Sequence, residues 1–398
     1  MDQPLDEHGS RLLKIMRRGA NSKVFETEDA GGTDGPPRHV DEVLQDVETA
    51  LNTLPKDEIG DEAEFRKAFG LLFQHAETTL KKALAPDGPG LLDLDELGSL
   101  EALVIADGSR PSFLLRDGQI PPNHPFLGMW KPDFEGRGSI VSRLAERVGR
   151  IQPPDGGPAN YSGTGTLVDA ARGLVLTNYH VVNHARNRLG VAMEGSGPIL
   201  RVTGDWVIDF AGETGSSTRK RWRINEVRLP NGVGESFDGI DAAVLRIEPF
   251  EAGETSLPAP LIMLSDDADY ASGAAVQSLI TIGFPGYPDT TAPAGAKVDW
   301  NWVIGTLFNN RFGLKRVAPG TIRRAAGVAV PRAAHVLAHD ATTFGGASGS
   351  LVFAWKDEAQ PAFALHFAGA TLTDNYAAAL HSVHAALREL GLKFNVPA

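Results

Sequence analysis

From about residue 147 onward, the chain is a series of short runs rich in β-branched and aromatic residues, separated by turns of Gly, Pro, Asn and Asp. The runs predict strands at 164–168, 173–177, 206–210, 221–227, 242–247, 276–282, 326–330, 350–354 and 362–367. Many short strands with turn signals between them are typical of an all-β barrel or sandwich. The sequence therefore predicts a mainly β architecture for this part of the chain.

Helical patterns flank the predicted strands on both sides. Apolar residues share one helical face at about 380–391, where a glycine supplies the end signal. Ahead of the strands, similar spacing predicts helices at 40–54 and 61–84, and a last helix at about 139–148. The stretch 30–37 is rich in Gly and Pro and predicts a linker. The N-terminal part of the chain is therefore expected to be helical.

Composition narrows the classes of function. The chain of 398 residues contains no cysteine, which excludes disulfides, a thiol nucleophile and thiolate metal sites. Its net charge of −12 argues against a nucleic-acid partner, because phosphate binding needs clustered Lys and Arg. No apolar run has the length of a membrane span, and no signal peptide is recognisable. We therefore expect a cytoplasmic protein without a membrane partner, and leave leaderless export open.

The stretch HDATTFGGASGSLVF, residues 339–353, places a serine among glycines just before a predicted strand. A serine hydroxyl becomes a good nucleophile when a histidine takes its proton and a carboxylate orients that histidine. His180 follows a strand in GTGTLVDAARGLVLTNYHVV, and Asp241 opens an apolar strand in GIDAAVLRI. The chain order His180, Asp241, Ser348 is that of the chymotrypsin-type triad.

Each of these residues has a rival. Asp238 competes with Asp241, although only Asp241 leads directly into the apolar strand. Ser350 is a second hydroxyl but lacks the Gly-x-Ser-Gly setting. His184 lies four residues after His180 and could form a metal pair with it, but the residue after His180 is not the glutamate of a metalloprotease helix. We expect no metal and no cofactor.

The segments TNYHVV, DAAVLRI, GGASGSLVF and ITIGFPGYP occur together and in order. They resemble the boxes of bacterial trypsin-like serine peptidases, close to the V8-like, glutamyl-endopeptidase branch. The resemblance covers roughly residues 147–392. It implies a serine endopeptidase that cuts protein or peptide substrates, with a chymotrypsin-like double β-barrel followed by a C-terminal helix.

The residue patterns before residue 138 and the resemblance after it together predict a division into domains. A helical region at 1–137, regulatory or binding a partner, would precede a protease domain at 138–398. The two barrels would occupy about 147–250 and 258–376. The stretch 105–137, rich in Gly, Pro and Asp, could be a hinge or a cleavage site.

Site roles follow from the same resemblance. Ser348 would attack the peptide carbonyl, His180 would act as general base and then acid, and Asp241 would orient the imidazole. The backbone N–H groups of Gly346 and Ser348 would form the oxyanion hole. The segment Phe367, Ala368 and Gly369 would pair with the substrate backbone.

Specificity and control are the remaining expectations. Thr343 and His366 match positions that hold a substrate carboxylate in glutamate-specific relatives, so an acidic P1 residue is expected. Thr342 stands where a trypsin-like pocket carries its aspartate, so cleavage after Lys or Arg is not expected. Ala347 stands where many relatives carry a residue that pairs with a freed N-terminal amine, so that activation route is absent. Two alternatives stay open: a protease-like binding module, and a latent protease that its N-terminal region controls and that cuts one dedicated partner.

Overall fold

A computed structural model describes residues 110–235, 239–250, 257–258, 262–272, 278–286, 311–324, 335–355, 359–369 and 375–395, and the single residues Gln45, Glu48, Thr49, Val276 and Phe308. The three residues at 45, 48 and 49 are helical. The rest of the predicted helices 40–54 and 61–84, the linker 30–37, the strand 326–330 and the rival Asp238 lie outside the described residues.

Within that part, the strands are β1 (Phe113–Leu114), β2 (Val148–Gln152), β3 (Gly163–Asp169), β4 (Leu174–Thr177), β5 (Met193–Glu194), β6 (Ile199–Val202), β7 (Val207–Asp209), β8 (Arg221–Arg228), β9 (Ala243–Pro249), β10 (Leu279–Gly283), β11 (Arg316–Gly320), β12 (Ile322–Arg324), β13 (Val336–His339), β14 (Leu351–Ala354), β15 (Ala362–Gly369) and β16 (Asn375–Ala379). A 3₁₀ helix covers Pro125–Trp130, and the α-helices are α1 (Lys131–Ala145), α2 (Tyr179–Asn187), α3 (Ala268–Ser272) and α4 (Leu380–Glu389).

The first barrel follows the strand order β8–β7–β2–β3–β4–β9, and β9 pairs back with β8 to close it. The short strands β5 and β6 extend the sheet beyond β8. An apolar cluster that includes Ile151, Val175, Trp206 and Leu245 draws its residues from this barrel. Closing a sheet removes its exposed edges, so the barrel provides a rigid base for the loops at its rim.

The second sheet runs β11–β10–β14–β15–β16–β13–β12. Only Thr321 separates β11 from β12, so one bent strand pairs with β10 at one end and with β13 at the other. The bend brings the two ends of the sheet together. The predicted mainly β fold with a chymotrypsin-like double barrel and a C-terminal helix is thereby confirmed.

The C-terminal helix α4 is anchored by charge as well as by apolar burial. Leu380, Val383 and Leu387 are buried on its inner face. Past its end, Arg172 donates to the carbonyl of Gly391 at 2.6 Å and Arg228 to that of Leu390 at 3.2 Å. Cations are favoured there because the last carbonyls of a helix carry partial negative charge.

None of the helices in the described part of the chain has the length and apolar character needed to span a membrane.

The structure changes one predicted element. The helix expected at 139–148 is α1, which begins at Lys131 and ends at Ala145, and Val148 already belongs to β2. Two glycines within α1 hide its helical pattern, yet Phe134, Val141 and Leu144 bury one face. Strand β2 is buried at every position, so it lacks the polar–apolar alternation that marks a half-exposed strand.

The segment before the first barrel packs against the second one. Strand β1 pairs antiparallel with β11. Phe134 of α1 contacts Phe113 and Trp355, with ring centroids 5.6 and 5.2 Å apart. Arg137 donates to the carbonyl of Trp355 at 2.7 Å. The boundary predicted between residues 137 and 138 falls inside α1, and the character of residues 1–109 remains a prediction.

Candidate active site

His180 and Asp241 form a tightly held pair at the rim of the first barrel. His180 lies in the first turn of α2, and Asp241 lies just before β9. One carboxylate oxygen of Asp241 is 2.6 Å from Nδ1 of His180, and the other accepts the backbone N–H of His180 at 3.0 Å. The carboxylate therefore fixes the ring and caps the helix at once, which leaves Nε2 as the basic nitrogen.

Burial adds to this arrangement. The Asp241 side chain is 1% exposed, whereas that of His180 is 29% exposed. Asn178, which is buried, donates to the backbone carbonyl of Asp241 at 2.7 Å and so fixes the carboxylate from behind. A buried carboxylate facing a half-exposed imidazole stabilises the imidazolium that forms when the ring accepts a proton.

Ser348 lies in the loop between β13 and β14, and that loop folds on the glycine at 346. Gly346 has φ +89°, and a side chain there would lie 2.8 Å from the carbonyl oxygen of Phe284. Within the described part of the chain, the backbone N–H groups of Gly346 and Ser348 donate to no acceptor, whereas that of Ala347 donates to Phe344. Two unengaged amides beside a serine hydroxyl are the donors that an oxyanion requires.

Thr164 of β3 ties the serine loop to the first barrel. Its backbone N–H donates to the carbonyl of Ser348 at 2.9 Å, and its hydroxyl donates to the carbonyl of Gly346 at 2.8 Å. The same hydroxyl accepts the N–H of Phe284 at 3.1 Å. The backbone carbonyl of Thr164 accepts a hydrogen bond from the hydroxyl of Thr177 at 2.7 Å. Every polar group of this buried threonine is therefore hydrogen-bonded.

Strand β15 runs beside the serine loop. The hydroxyl of Ser348 donates to the carbonyl of Phe367 at 3.3 Å, and the N–H of Gly349 donates to the carbonyl of His366 at 3.0 Å. The segment Phe367, Ala368 and Gly369 thus leads away from the serine in extended form. An extended segment at that place can accept a substrate as an added strand.

The end of β15 adjoins a set of polar contacts that we call the pocket wall. The hydroxyl of Thr343 donates to the side-chain carbonyl of Asn375 at 2.7 Å, and the amide of Asn375 donates to the carbonyl of Ala341 at 2.8 Å. Asn375 begins β16 and pairs with Gly369 in register. Thr343, Asn375 and Gly369 therefore share one wall near Ser348.

His366 is buried behind this wall. It is 2% exposed, and its Nδ1 is 3.3 Å from Nε2 of His339, which is fully buried. Burial, followed by the neighbouring His339 and His180, holds the pKa of His366 well below its ordinary value, although a hydrogen bond to the Tyr376 carbonyl opposes this. Burial lowers the pKa of His339 to about 4, with Asp340 opposing. Both imidazoles are therefore neutral near pH 7.

The rivals named from the sequence have other partners. The hydroxyl of Ser350 is buried and donates to the carbonyl of Ala347 at 2.6 Å, so it shapes the loop. His184 is exposed, and its pKa is lowered by partial desolvation, followed by the charges of Arg188 and His180. Among the described residues, no three His, Asp or Glu side chains group as metal ligands would.

Sequence reasoning missed Thr164, Asn178 and Asn375. Asn178 could have been found, because it directly precedes the helix that carries His180. The other two carry no local signal: each is a polar residue in a strand whose partners come from distant parts of the chain.

Comparisons with known proteins agree with this geometry. A family model described as a trypsin-like peptidase domain matches residues 163–359, the range that contains His180, Asp241 and Ser348. A probable serine protease of Lysobacter enzymogenes is 45% identical over 388 residues, which is 96% of this chain and 98% of that protein.

A solved structure is also similar. It is the inactive form of a serine-to-alanine mutant of Rv3671c from M. tuberculosis, at 16% identity and a TM-score of 0.34, covering 63% of this chain and 90% of its own. That likeness is too low to bear on the site. Double barrel, family model and relative together define a serine peptidase that acts on proteins or peptides. The chain belongs to the trypsin-like peptidase family.

Proposed function

We propose that this chain is a serine endopeptidase that works through Ser348, His180 and Asp241. The observation that carries the proposal is the double contact of the buried Asp241 carboxylate with the ring and the backbone N–H of His180. A carboxylate placed in this way holds the tautomer that has Nε2 free to act as a base. Capping the helix requires only the contact of the carboxylate with the backbone N–H, so the contact with the ring has a separate role.

Hydrolysis of the peptide bond would proceed in successive steps. The hydroxyl of Ser348 rotates from the Phe367 carbonyl toward His180, which takes its proton at Nε2. The serine oxygen forms a bond to the peptide carbonyl carbon, and the carbonyl electron pair moves onto the oxygen. Collapse of this tetrahedral species breaks the C–N bond, and the proton on Nε2 of His180 passes to the leaving amine. Water then repeats the sequence, releasing the acid and restoring the serine.

The amides of Gly346 and Ser348 would stabilise the oxygen that becomes negative. They need no reorganisation, because the loop holds them away from other acceptors in the described structure. Donors fixed in advance typically contribute about 10²–10³ in rate each. The substrate backbone would lie along Phe367, Ala368 and Gly369 as an added strand.

Asp241→Asn tests the triad. The amide would favour the wrong imidazole tautomer, and we expect kcat to fall by about 10⁴ on any peptide that the wild type cleaves. Asp205→Asn is the matched control, because Asp205 is an exposed carboxylate that pairs with Arg223 away from the site. Equal kcat in wild type and Asp241→Asn would remove Asp241 from the mechanism.

The non-catalytic alternative, a protease-like module that only binds peptides, lacks support from this geometry. A binding module needs neither the Asp241–His180 contact nor unengaged amides around the serine. The latent-protease alternative receives no support from the contact of Arg110 with Thr342, because a residue that holds the segment before Ser348 in place would promote activity and not block it.

For the P1 residue we propose a weak acidic preference. Thr343 supports it, because its hydroxyl lies at the pocket wall and could turn from the side-chain carbonyl of Asn375 to donate to a substrate carboxylate. His366 faces His339 and the Tyr376 carbonyl with its ring nitrogens and is neutral, so it has little attraction for a carboxylate in this arrangement. We expect kcat/KM for P1 Glu to exceed that for P1 Gln by less than about tenfold, or about 1.4 kcal/mol.

Peptide pairs that differ only in P1 Glu or Gln test this preference, with Thr343→Val and His366→Gln compared with wild type. The small ratio should disappear in Thr343→Val and persist in His366→Gln. A ratio of about 10³ that vanishes in His366→Gln would show that His366 turns to bind the carboxylate, against the proposal.

A further inference from the structure

Asp340 is a buried carboxylate just before the pocket wall, and its partners come from three directions. It accepts the backbone N–H and the hydroxyl of Thr321 at 2.7 and 3.0 Å, at the bend that closes the second barrel. Arg323 lies 3.9 Å away on the same bend. The third partner is Arg110, which precedes both barrels in the chain.

Arg110 binds this carboxylate with two nitrogens. Its Nη2 donates to one oxygen at 2.9 Å, and its Nε lies 2.9 Å from the other. The Arg110 side chain is 10% exposed and that of Asp340 is 3% exposed. Although burial alone would raise the pKa of Asp340, Arg110 holds that pKa well below its usual range. The two side chains thus form a buried ion pair with one hydrogen bond, from Nη2, and a charge-assisted bond of this kind is roughly twice as strong as a neutral one.

A second contact links the same residue to the pocket. The hydroxyl of Thr342 donates to the backbone carbonyl of Arg110 at 2.7 Å. Arg110 therefore binds both ends of the segment 340–342, because its side chain contacts Asp340 and its carbonyl contacts Thr342. We call these two contacts the Arg110 clasp. Thr343 and its partner Asn375 follow immediately.

The serine loop has no charged anchor of its own. Ala347, the residue before the nucleophile, is 3% exposed and carries no group that could form an ion pair. Among the described residues, the nearest charged side chain along the chain that is held by an ion pair is that of Asp340, which lies eight positions before the serine. The strand that leads to the loop is thus fixed from both sides, by Thr321 and Arg323 of the second barrel and by Arg110 ahead of the barrels.

We propose that Arg110 is a positioning residue for catalysis: by clasping Asp340 and Thr342, it holds the segment that forms the pocket wall and leads into the serine loop. The inference rests on the proposed function of Ser348. It assigns to the chain before the barrels a direct part in the catalytic unit. Cleavage after residue 110 would release the clasp, whereas cleavage before it would leave the clasp in place.

The test uses the full-length chain with four variants. Arg110→Gln removes the charge, Arg110→Ala leaves space for an added guanidinium ion, and Thr342→Val removes the second contact. Arg323→Gln is the matched control, since it removes a cation from the other side of the same carboxylate. Each variant is measured for kcat, KM, the rate of fluorophosphonate labelling at Ser348, and thermal unfolding.

We expect Arg110→Gln to lower kcat/KM by about tenfold or more through a raised KM, at a temperature where the variant is fully folded. Thr342→Val should show a smaller loss of the same kind, and Arg323→Gln should differ from wild type by less than about threefold. Guanidinium ion at low millimolar concentration should restore part of the activity of Arg110→Ala and none of that of Thr342→Val.

A purely structural role would lower the unfolding temperature of Arg110→Gln without changing KM, and that result would overturn the proposal. If Arg110→Gln does not fold, unchanged KM in Thr342→Val would overturn it equally. Failure of the underlying function would look different, because the wild type itself would then show no labelling at Ser348. That outcome would also end the proposal, since no catalytic site would remain for the clasp to support.

Discussion

Gly346 is where backbone conformation bears most directly on chemistry. Its φ of +89° lies in a region that residues with a Cβ rarely adopt, and the space for a side chain is filled by Tyr161 and the Phe284 carbonyl. The residue is therefore needed both for the turn and for the close approach. The turn leaves the amides at 346 and 348 without acceptors in the described residues.

Gly346→Ala should consequently lower kcat by about 10²–10³, because the shifted loop would displace one oxyanion donor. Steady-state kinetics on a cleaved peptide measures this. Gly345→Ala is the matched control in the same loop, since Gly345 has ordinary φ and nothing within 4 Å of an added Cβ. Similar losses in both variants would mean that the loop as a whole, rather than the 346 turn, is sensitive.

At the same scale, the sequence identifies candidate residues for the chemistry but not the residues that support them. His180, Asp241 and Ser348 lie in short boxes whose residue types are dictated by the reaction, so the boxes are visible locally. Thr164 and Arg110 act through partners more than a hundred residues away. No local pattern separates such a residue from an ordinary strand threonine or surface arginine.

Between elements, Thr164 of β3 is the main link from the first barrel to the serine loop. Thr164→Val should lower the free energy of unfolding by about 1–3 kcal/mol, because a buried N–H of Phe284 and a buried carbonyl of Gly346 lose their partner. We also expect kcat to fall by about tenfold, since Gly346 is no longer held. Urea unfolding and steady-state kinetics give the two readouts.

The control for that change lies two residues along the same strand. Thr166 is equally buried, but its hydroxyl has no hydrogen-bond partner in the described residues. Thr166→Val should therefore be neutral or slightly stabilising and should leave kcat unchanged. Destabilisation of similar size in both variants would assign the effect to strand packing instead of to the link.

A second link joins three elements through one cation. Lys315, just before β11, is fully buried and donates at 2.7 Å to the carbonyls of Ala145, at the end of α1, and Phe210, after β7. Its Nζ also lies 3.7 Å from Glu213. Burial lowers its pKa to about 8, with Glu213 opposing. The ammonium thus connects the helix, the first barrel and the second barrel.

Lys315→Met keeps most of the volume and removes these donors. We expect a loss of about 2–4 kcal/mol in the free energy of unfolding, because two buried carbonyls are left unpaired. Lys131→Met, at an exposed lysine that pairs loosely with Glu135, should change it by less than about 0.5 kcal/mol. A neutral Lys315→Met would show that water or relaxation replaces the lysine.

Element boundaries were the weakest part of the sequence prediction, for physical reasons. Strand β2 reads Val-Gly-Arg-Ile-Gln and buries two polar residues, so it shows no clear strand pattern and the sequence assigns Val148 to the preceding helix. The helix α2 was missed because it begins within the histidine box and is only nine residues long. The longer amphipathic helix α4 was found, since its buried face repeats over three turns.

At the scale of the whole molecule, the buried imidazoles of His339 and His366 make stability depend on pH. Their pKa values in the folded state lie below the ordinary value of 6.5, that of His339 at about 4. The unfolded chain therefore binds more protons than the folded chain below pH 6.5, and stability falls as the pH drops through the window from about 6.5 to about 4. Above about pH 8, where the histidines of the unfolded chain are also neutral, the pair contributes no slope.

Urea unfolding from pH 7.5 to pH 4 should show this fall, with a contribution on the order of 2–3 kcal/mol from His339 once it is titrated. His339→Gln, which offers an amide where Nε2 stood, should flatten the slope. An equally steep slope in wild type and His339→Gln would locate the pH dependence elsewhere.

The central claim is that Ser348 is the nucleophile of a peptidase. Its most direct test is to incubate wild type and Ser348→Ala with a fluorophosphonate probe and with a mixed peptide library, both read by mass spectrometry. The account predicts a labelled peptide that carries the probe on Ser348, cleavage of library peptides by the wild type, and loss of both in Ser348→Ala. Cleavage that persists in Ser348→Ala, or a wild type that neither reacts nor cuts, would contradict it.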